Sequence, residues 1–467
     1  MPQRLTRYFR QLHGGIMSLP PEPSSASPSL RRTLGVVDGV AILIGITIGA
    51  GIFSTPRIIA GYQSSFYDIL LLWLLAGAFV YIGGLIYAEL GTRFPNTGGE
   101  YVYLHRAFGP YVGFIFGWAQ LFIIRTSPAA GLALITADYA RFFWPTMSQT
   151  AHTLLALLVI AVLGTLNYVG IRQASVYQKL STMIKVGGLV GLVVVGLVLL
   201  PGQTDRLGET LPPTEHLGAW GNFSAAMMLV VFSYLGWDRV GYSAGEMTDP
   251  RRVIPRSLFI GIGMVVGVYV LTNFLYHYVL GMEGVRASRV VASDTAVHLL
   301  GPVGAGIIAL VVMVSATGST NGTMMTAPRV YYAMARDGLF FRWLSAVHPR
   351  FRTPSNAIIA HCVWAAVILL ARSSFETIVA GMTFVVLIFY ALITVALFKF
   401  RRNHMGEPGG YRVPLYPLLP AIYLAGIVAL IGIRLVFEWE KSLIDLAFVL
   451  TGVPFALVWC REDSRNE

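Results

Sequence analysis

Two glycine-rich stretches interrupt segments that are otherwise apolar enough to be helical. GITIGAGIF (45–53) carries three glycines, and FSAAMMLVVFSYLGWDRVGYSAGEM (223–247) contains Gly236 and Gly241. A glycine inside a helix costs about 1 kcal/mol relative to alanine, and a backbone group freed in lipid must find a new partner. An unwound first stretch presents N–H groups that suit a carboxylate, and an unwound second stretch presents carbonyls that suit an ammonium group. Two facing breaks predict a site for a zwitterion such as an amino acid, whereas a small-residue packing face is the alternative for GITIGAGIF.

The composition shows what must position these stretches. The chain has 467 residues, of which 55% are hydrophobic and 12% charged, and its mean hydropathy is +0.66. Soluble domains carry about twice that charged fraction, and apolar runs of about 20 residues, enough for a spanning helix, recur along the chain. The sequence therefore predicts an all-α integral membrane protein.

The net charge of +11 reflects topology rather than a nucleic-acid ligand, because basic residues gather in alternate loops. By the positive-inside rule these loops face the cytoplasm. They contain Arg31, Arg32, Arg251, Arg252, Arg256, Arg336, Arg342, Arg350, Arg352, Lys399, Arg401, Arg402 and Arg412. The loops between them hold few cations. Both termini are predicted to be cytoplasmic.

We predict twelve transmembrane helices, which begin near 36, 68, 109, 152, 178, 219, 257, 302, 355, 375, 416 and 443. Broken helices one and six lie five spans apart, which points to an inverted repeat. The predicted divisions are a disordered cytoplasmic tail (1–34), a first five-helix repeat (35–202), a second, inverted repeat (203–402), helices eleven and twelve (403–460) and a cytoplasmic tail (461–467). The segment 91–110 between spans two and three is predicted to be re-entrant or interfacial.

Four further stretches, together with GITIGAGIF, carry a family resemblance. They are YAELGTRFPNTGGEYVYL (87–104), GEMTDPRRVIPRSL (245–258), SATGSTNGTMMTAPRVYYAMARDGLFF (315–341) and WAQLFIIRTSPAAGLAL (118–134). Taken together, the chain resembles the amino acid–polyamine–organocation (APC) superfamily, and its third span is similar to that of the L-type amino acid transporters. The resemblance implies a leucine-transporter-like 5+5 fold plus two extra helices, with the substrate between broken helices one and six.

The resemblance also implies site residues. Thr47, Gly49, Ala50 and Gly51 match the carboxylate-binding break, and Ile46 would lend a carbonyl to the amine. The break in helix six corresponds to Phe232, Ser233, Tyr234, Leu235 and Gly236. Phe232 is expected to gate the site, although a core-facing or lipid-facing aromatic is the alternative. Substrate side-chain choice is expected to depend on Ile124, Ser127, Tyr234 and Ser319.

Lys185 lies inside span five. It could be a lysine that snorkels to the interface. The resemblance implies instead that its ammonium replaces a bound sodium ion, with Ser315 and Thr317 of span eight lining the same place. Whether Lys185 cycles protons stays open.

Three other charged residues lie in or near apolar segments. Arg125 is predicted to lie about 24 Å into span three at about 1.5 Å per residue, where a charge has either a functional or a structural role. Glu246 could pair with Arg251 or Arg252 at an inner gate or remain solvated. Asp238 is the one acidic candidate from span six for a pocket that binds cations.

The expected function is sodium-independent amino acid transport by alternating access, with exchange of neutral amino acids, at the plasma (inner) membrane. The alternatives are a proton-coupled or cationic amino acid or polyamine permease, and an amino acid sensor on the same scaffold. No enzyme motif, metal-ligand spacing or P-loop occurs in the sequence, so no cofactor is expected. The loop 142–152 lacks the cysteine that joins animal L-type transporters to a heavy chain, so no disulfide-linked partner is expected.

Overall fold

The structure is a computed structural model of the full chain. It describes residues 30–49, 51–200, 203–214, 218–288, 290–371, 382–407, 410–437 and 439–463. Most of the two predicted tails and Ala50 of the predicted site lie outside these residues, as does the predicted start of span ten near 375.

All named secondary-structure elements of the described residues are helices. In chain order the α-helices are α1 (Val36–Thr47), α2 (Gly51–Tyr62), α3 (Phe66–Arg93), α4 (Glu100–Phe108), α5 (Pro110–Ala119), α6 (Thr126–Ala140), α7 (Gln149–Val169), α8 (Ile171–Leu199), α9 (Gly218–Tyr234), α10 (Pro250–Ala287), α11 (Val291–Leu300), α12 (Pro302–Thr326), α13 (Pro328–Arg336), α14 (Ser355–Ala371), α15 (Met382–Arg402), α16 (Leu418–Phe437), α17 (Trp439–Leu450) and α18 (Val453–Asp463).

The described residues include nine helical stretches that are long and apolar enough to cross a membrane, and α1 and α14 are shorter apolar helices. Their outer faces are apolar as well: Leu154, Leu158 and Val162 follow one another at four-residue spacing along α7 and are each more than half exposed. Exposure of such an apolar stripe to water is unfavourable, whereas its contact with lipid acyl chains is favourable. The chain is an integral membrane protein.

Two helical segments are interrupted, and a third contains an irregular turn. The first span divides into α1 and α2, and the sixth divides into α9 and a 3₁₀-helical segment, Trp237–Glu246. Between α5 and α6 the residues Gln120–Ile124 form a π-helical turn, which inserts extra backbone into an otherwise continuous helix. Arg125 follows this turn directly.

Short helices form in the segment predicted to be re-entrant or interfacial and in the predicted twelfth span. The segment 91–110 contains α4, in which Glu100, Tyr101, Tyr103 and Leu104 are buried. The apolar stretch predicted to begin near 443 forms two short helices, α17 and α18. Because α4 is buried among the long helices, its residues can contribute to the interior.

Candidate functional site

The break in the first span lies after Thr47. Helix α1 ends there, Ile48 has a non-helical conformation (φ −76°, ψ 78°), and α2 begins at Gly51. The carbonyls of Gly45 and Ile48 are therefore available to partners outside their own helix.

The break in the sixth span is centred on Gly236. Its φ of +126° lies in a region that favours glycine, since a Cβ would strain the backbone there. Helix α9 ends at Tyr234, and the chain continues as the tighter 3₁₀ segment.

The two breaks touch each other. A Cβ on Gly51 would lie 2.9 Å from Cα of Ser233, and a Cβ on Gly236 would lie 3.1 Å from the backbone nitrogen of Thr47. The hydroxyl of Tyr269 in α10 is 2.8 Å from the carbonyl of Thr47 and 2.7 Å from that of Ser233. The glycines thus permit both the interruptions and the close approach of the two helices.

Lys185 is fully buried in α8, and its ammonium group lies at the first break. Nζ donates to the carbonyls of Gly45 (2.8 Å), Ile48 (2.7 Å) and Ser315 (3.0 Å), and lies 3.3 Å from Oγ of Ser319. Three carbonyls and a hydroxyl make an all-oxygen environment around one positive charge. The ammonium therefore ties α1, α8 and α12 together at the point where α1 ends.

The three predicted residues of α12 do not share one face. The hydroxyl of Ser315 donates to the Ile48 carbonyl (2.9 Å), and that of Ser319 donates to the Gly45 carbonyl (2.7 Å). Thr317 instead accepts from Tyr177 (2.7 Å). Residues four apart share a helix face, whereas residues two apart point about 200° from each other. The structure therefore places Ser319, expected in the side-chain pocket, beside Lys185, and it directs Thr317 elsewhere.

The remaining predicted pocket residues have varied surroundings. Phe232 is half-buried, and Ile124, Ser127 and Leu235 are buried. The hydroxyl of Tyr234 donates to the carbonyl of Trp73 in α3 (3.2 Å), so this side chain points towards α3 and α10 rather than towards α12.

A buried charged network lies beyond the second break. Arg125 is 2.6 Å from the carboxylate of Asp238 and 3.4 Å from that of Glu100, and it also donates to the hydroxyl of Tyr242 (2.8 Å). Glu100 accepts from the hydroxyls of Tyr87 and Tyr242. The sequence singled out Arg125 and Asp238 separately but did not predict that they pair.

Glu100 lies in α4, outside the spanning segments. Burial is the main cause that raises the pKa of Glu100 to about 7, and the nearby Asp238 carboxylate acts in the same direction. This carboxyl group can therefore change its charge near neutral pH.

A second buried ion pair holds the far end of the 3₁₀ segment. Glu246 accepts from Nε (2.7 Å) and Nη2 (2.9 Å) of Arg329 in α13, and both side chains are fully buried. Both alternatives considered for Glu246, a pair with Arg251 or Arg252 and a solvated charge, are therefore wrong. Those two arginines follow the end of the segment and pair at the surface with Glu407 and Asp249.

The same end of the 3₁₀ segment is joined to the residues before α1. The backbone N–H groups of Thr33 and Leu34 donate to the Glu246 carbonyl at 2.8 and 2.9 Å. The residues before α1 and the end of the 3₁₀ segment lie at the face that carries Arg32, Arg106 and Arg336, here called the arginine-rich face. The halves of both broken spans that lead to this face are therefore connected. They are held to the neighbouring helices by the Asp238–Arg125 and Glu246–Arg329 pairs.

Metal binding has no evident site in this arrangement: within the described ranges, no three His, Cys, Asp or Glu residues are grouped so that they could hold an ion. The features that remain are two touching helix interruptions and a buried ammonium group. Secondary transporters commonly form their substrate sites from discontinuous helices of this kind.

The chain belongs to the amino acid permease family, whose pattern matches residues 34–453. The resemblance to the APC superfamily is thereby confirmed. The serine/threonine exchanger SteT of Bacillus subtilis (strain 168) is 31% identical over 430 residues, which cover 91% of this chain and 96% of the relative.

Two human proteins are similar over nearly the whole chain. The b(0,+)-type amino acid transporter 1 is 30% identical over 442 residues, which cover 93% of this chain and 88% of the relative. The large neutral amino acids transporter small subunit 2 is 30% identical over 455 residues, or 94% of this chain and 83% of the relative. These relatives support amino acid transport as the general activity.

Proposed function

We propose that the chain is a sodium-independent transporter that exchanges neutral amino acids by alternating access. In this proposal it has twelve spans in two inverted five-helix repeats (35–202 and 203–402), followed by two extra helices (403–460). It lies in the plasma (inner) membrane with both termini cytoplasmic. The arginine-rich face is then the cytoplasmic face.

The observation that carries the proposal is the position of the Lys185 ammonium. It lies among the Gly45, Ile48 and Ser315 carbonyls at 2.7 to 3.0 Å, and a small cation would seek oxygen ligands of the same kind. A fixed positive charge at this point replaces a coupling ion, and it holds α1 to α12 without one.

The proposed substrate is bound between the two breaks. Its α-carboxylate is received by the break at Thr47, Gly49, Ala50 and Gly51, where the positive N-terminal end of α2 favours an anion. The Gly49 N–H group donates to the Thr47 carbonyl in this structure (2.8 Å), so it must first leave that partner. Its α-amine is received by the carbonyl of Ile46, because the carbonyls of Gly45, Thr47 and Ile48 already accept hydrogen bonds.

The side chain of the substrate extends towards Ile124, Ser127 and Ser319 in this proposal, and Phe232 closes over it. The second break, Ser233 to Gly236, forms the opposite wall. Because the two breaks are in contact in this structure, substrate entry requires them to separate.

Alternating access requires the arginine-rich face to open and close. In this proposal the buried Asp238–Arg125 and Glu246–Arg329 pairs hold this face closed. Breaking a buried ion pair costs about 3–5 kcal/mol when the charges stay buried, so opening must admit water to them. Substrate binding at the breaks would supply part of the free energy of this step.

The alternative of a cationic amino acid or polyamine permease requires an acidic group that is free to meet the substrate. Asp238 is the candidate from the sixth span, but its carboxylate is 2.6 Å from Arg125. A carboxylate already neutralised in this way attracts a second cation weakly, which favours neutral substrates.

The experiment is uptake of a labelled neutral and cationic amino acid panel into proteoliposomes, with sodium or choline outside and with or without internal amino acid. Sodium-independent uptake of neutral substrates that is much faster into preloaded vesicles is expected. Sodium-dependent uptake would refute the role of Lys185, and equal uptake into empty and preloaded vesicles would refute exchange. Lys185→Ala is expected to lose transport, whereas Lys179→Ala, at a partly exposed lysine of α8 that pairs with Asp38, serves as the matched control.

A further inference from the structure

A cavity of about 650 Å³ opens on the arginine-rich face. Four chain segments line it: the residues before α1, helix α4 with its preceding loop, the end of the 3₁₀ segment at Gly245, and the end of α13. Three arginines, one from each of three segments, contribute to the lining: Arg32, Arg106 and Arg336.

The charges in this cavity are unbalanced. Asp337 is the one acidic residue of the lining. Its carboxylate accepts from the hydroxyl of Tyr101 (2.8 Å) and lies 3.9 Å from Nδ1 of His105. Within the described residues, none of the three guanidinium groups forms an ion pair with a carboxylate or donates a hydrogen bond. Three like charges that converge on one concavity repel each other until an anion joins them.

Two of the three guanidinium groups are held in place by aromatic rings. Arg106 lies over the ring of Phe94 at 5.1 Å, and Arg336 lies over that of Tyr332 at 5.9 Å. Stacking fixes the plane of a guanidinium group and leaves its N–H edge free to donate. Arg106 and Arg336 are therefore oriented before a ligand binds.

We propose that this cavity binds a phosphate-bearing anion. Guanidinium groups form paired hydrogen bonds with phosphate oxygens, and the volume lies within the range of small-ligand pockets, about 300–1,000 Å³. A phospholipid headgroup and a soluble phosphate compound offer the same group, so either can occupy the site.

The bound anion favours the arrangement seen here. It connects residues before α1 and beside Gly245, which lead into the two broken spans, to α4 and α13. A ligand that contacts all four segments stabilises the conformation in which its ligating groups converge. This binding proposal does not depend on what the chain transports.

The test measures the unfolding temperature of the purified protein by tryptophan fluorescence in two arms. The first arm titrates inorganic phosphate in neutral detergent, with chloride at equal ionic strength as the reference. The second arm compares nanodiscs of phosphatidylglycerol with nanodiscs of phosphatidylcholine, without soluble phosphate. The variants are the triple Arg32→Gln, Arg106→Gln, Arg336→Gln and a control triple at exposed arginines outside the cavity lining, Arg172→Gln, Arg256→Gln, Arg402→Gln.

We expect a saturable rise in the unfolding temperature in at least one arm. The affinity for phosphate should fall at least about tenfold in the cavity triple and stay unchanged in the control triple, since one charge-assisted hydrogen bond accounts for about a tenfold change. The rise caused by phosphatidylglycerol should likewise be lost in the cavity triple alone. A response to phosphate alone assigns the site to a soluble anion, and a response to phosphatidylglycerol alone assigns it to a headgroup. No response of the wild type in either arm, or equal losses in the two triples, would overturn the proposal. The single variants, measured separately, decide the matter if the cavity triple does not fold.

Discussion

The buried pair of Glu246 and Arg329 allows a quantitative test of how the arginine-rich face is held closed. Its two hydrogen bonds measure 2.7 and 2.9 Å, and neither side chain is exposed. Replacing Arg329 with Gln leaves a carboxylate that is buried without a counter-charge, at a cost of about 3–5 kcal/mol. If opening hydrates Glu246, this cost applies to the closed conformation alone, and the closed-to-open ratio falls by up to about 10²–10³-fold.

The assay is the labelling rate of a cysteine at position 243 by a membrane-impermeant maleimide. Ser243 is fully buried near the Arg-rich end of the 3₁₀ segment, and the native Cys362 and Cys460 are first replaced with alanine. Labelling is expected to accelerate in Arg329→Gln and in Glu246→Gln. The double variant should be labelled more slowly than either single variant, because no buried charge is then left unpaired.

The matched control is the surface pair of Arg251 and Glu407, whose side chains are 45% and 57% exposed. Such pairs contribute about 0–1 kcal/mol, so Glu407→Gln should leave labelling almost unchanged. A double-mutant cycle for Glu246 and Arg329 should give a coupling energy of about 0.5–3 kcal/mol. Coupling no larger than that of the surface pair would refute the reasoning.

Three further outcomes are expected. Gly236→Ala should destabilise the protein by about 1–3 kcal/mol because of its positive φ, whereas Gly263→Ala, at a helical site with open space around it, should be neutral or stabilising by up to about 1 kcal/mol; denaturant unfolding compares them. Ser315→Ala should slow exchange and Thr317→Val should not, since of these two hydroxyl groups that of Ser315 alone bonds to the first break; equal losses would contradict this. The Glu100 carboxyl group, whose pKa is raised in the closed structure, stabilises that structure below its ordinary pKa, and this stabilisation is lost as the pH rises through about 7. After division by the rate of a permanently exposed cysteine, which corrects for thiolate formation, cysteine labelling should therefore be faster at pH 8 than at pH 6, and Glu100→Gln should remove this remaining difference.

The sequence predicted the general architecture because composition alone requires it. A chain with 12% charged residues and repeated apolar runs can only bury its backbone as membrane helices. The two interruptions were also predictable, since glycines weaken a helix at particular positions. Gly236 was identified in this way, and its positive φ agrees with that interpretation.

Pairings between distant residues were not predictable from the sequence. Asp238 and Arg125 are 113 residues apart, and Glu246 and Arg329 are 83 apart, so no local pattern connects them. The candidate partners that the sequence offered for Glu246 were cations close to it in the chain, with a solvated charge as the alternative, whereas the structure uses a cation from another helix. A signal did exist, because a charge inside an apolar span such as Arg125 requires a counter-charge, but it does not identify the partner.

The placement of Ser319 could have been reasoned from helix geometry. Ser315 and Ser319 are four residues apart and so share a face, whereas Thr317 cannot share it. The resemblance led to the pair Ser315 and Thr317, and the helical period favours the other pair.

The π-helical turn at Gln120–Ile124 makes one part of the third span tolerant of a change in chain length and leaves the next part intolerant of it. Such a turn holds about one residue more than an α-helical turn. Because the wider turn absorbs this extra residue, deleting one residue from 120–124 should let α5 continue into α6 with almost the same rotation between the two ends. A deletion between Arg125 and Ala129, within the regular helix α6, would instead rotate one side against the other by about 100°. Either Arg125 would then turn away from Asp238, or the small residues Ala129, Ala130 and Ala133, all buried, would leave their packing face. Single-residue deletions should therefore be accepted more readily in the turn than in α6.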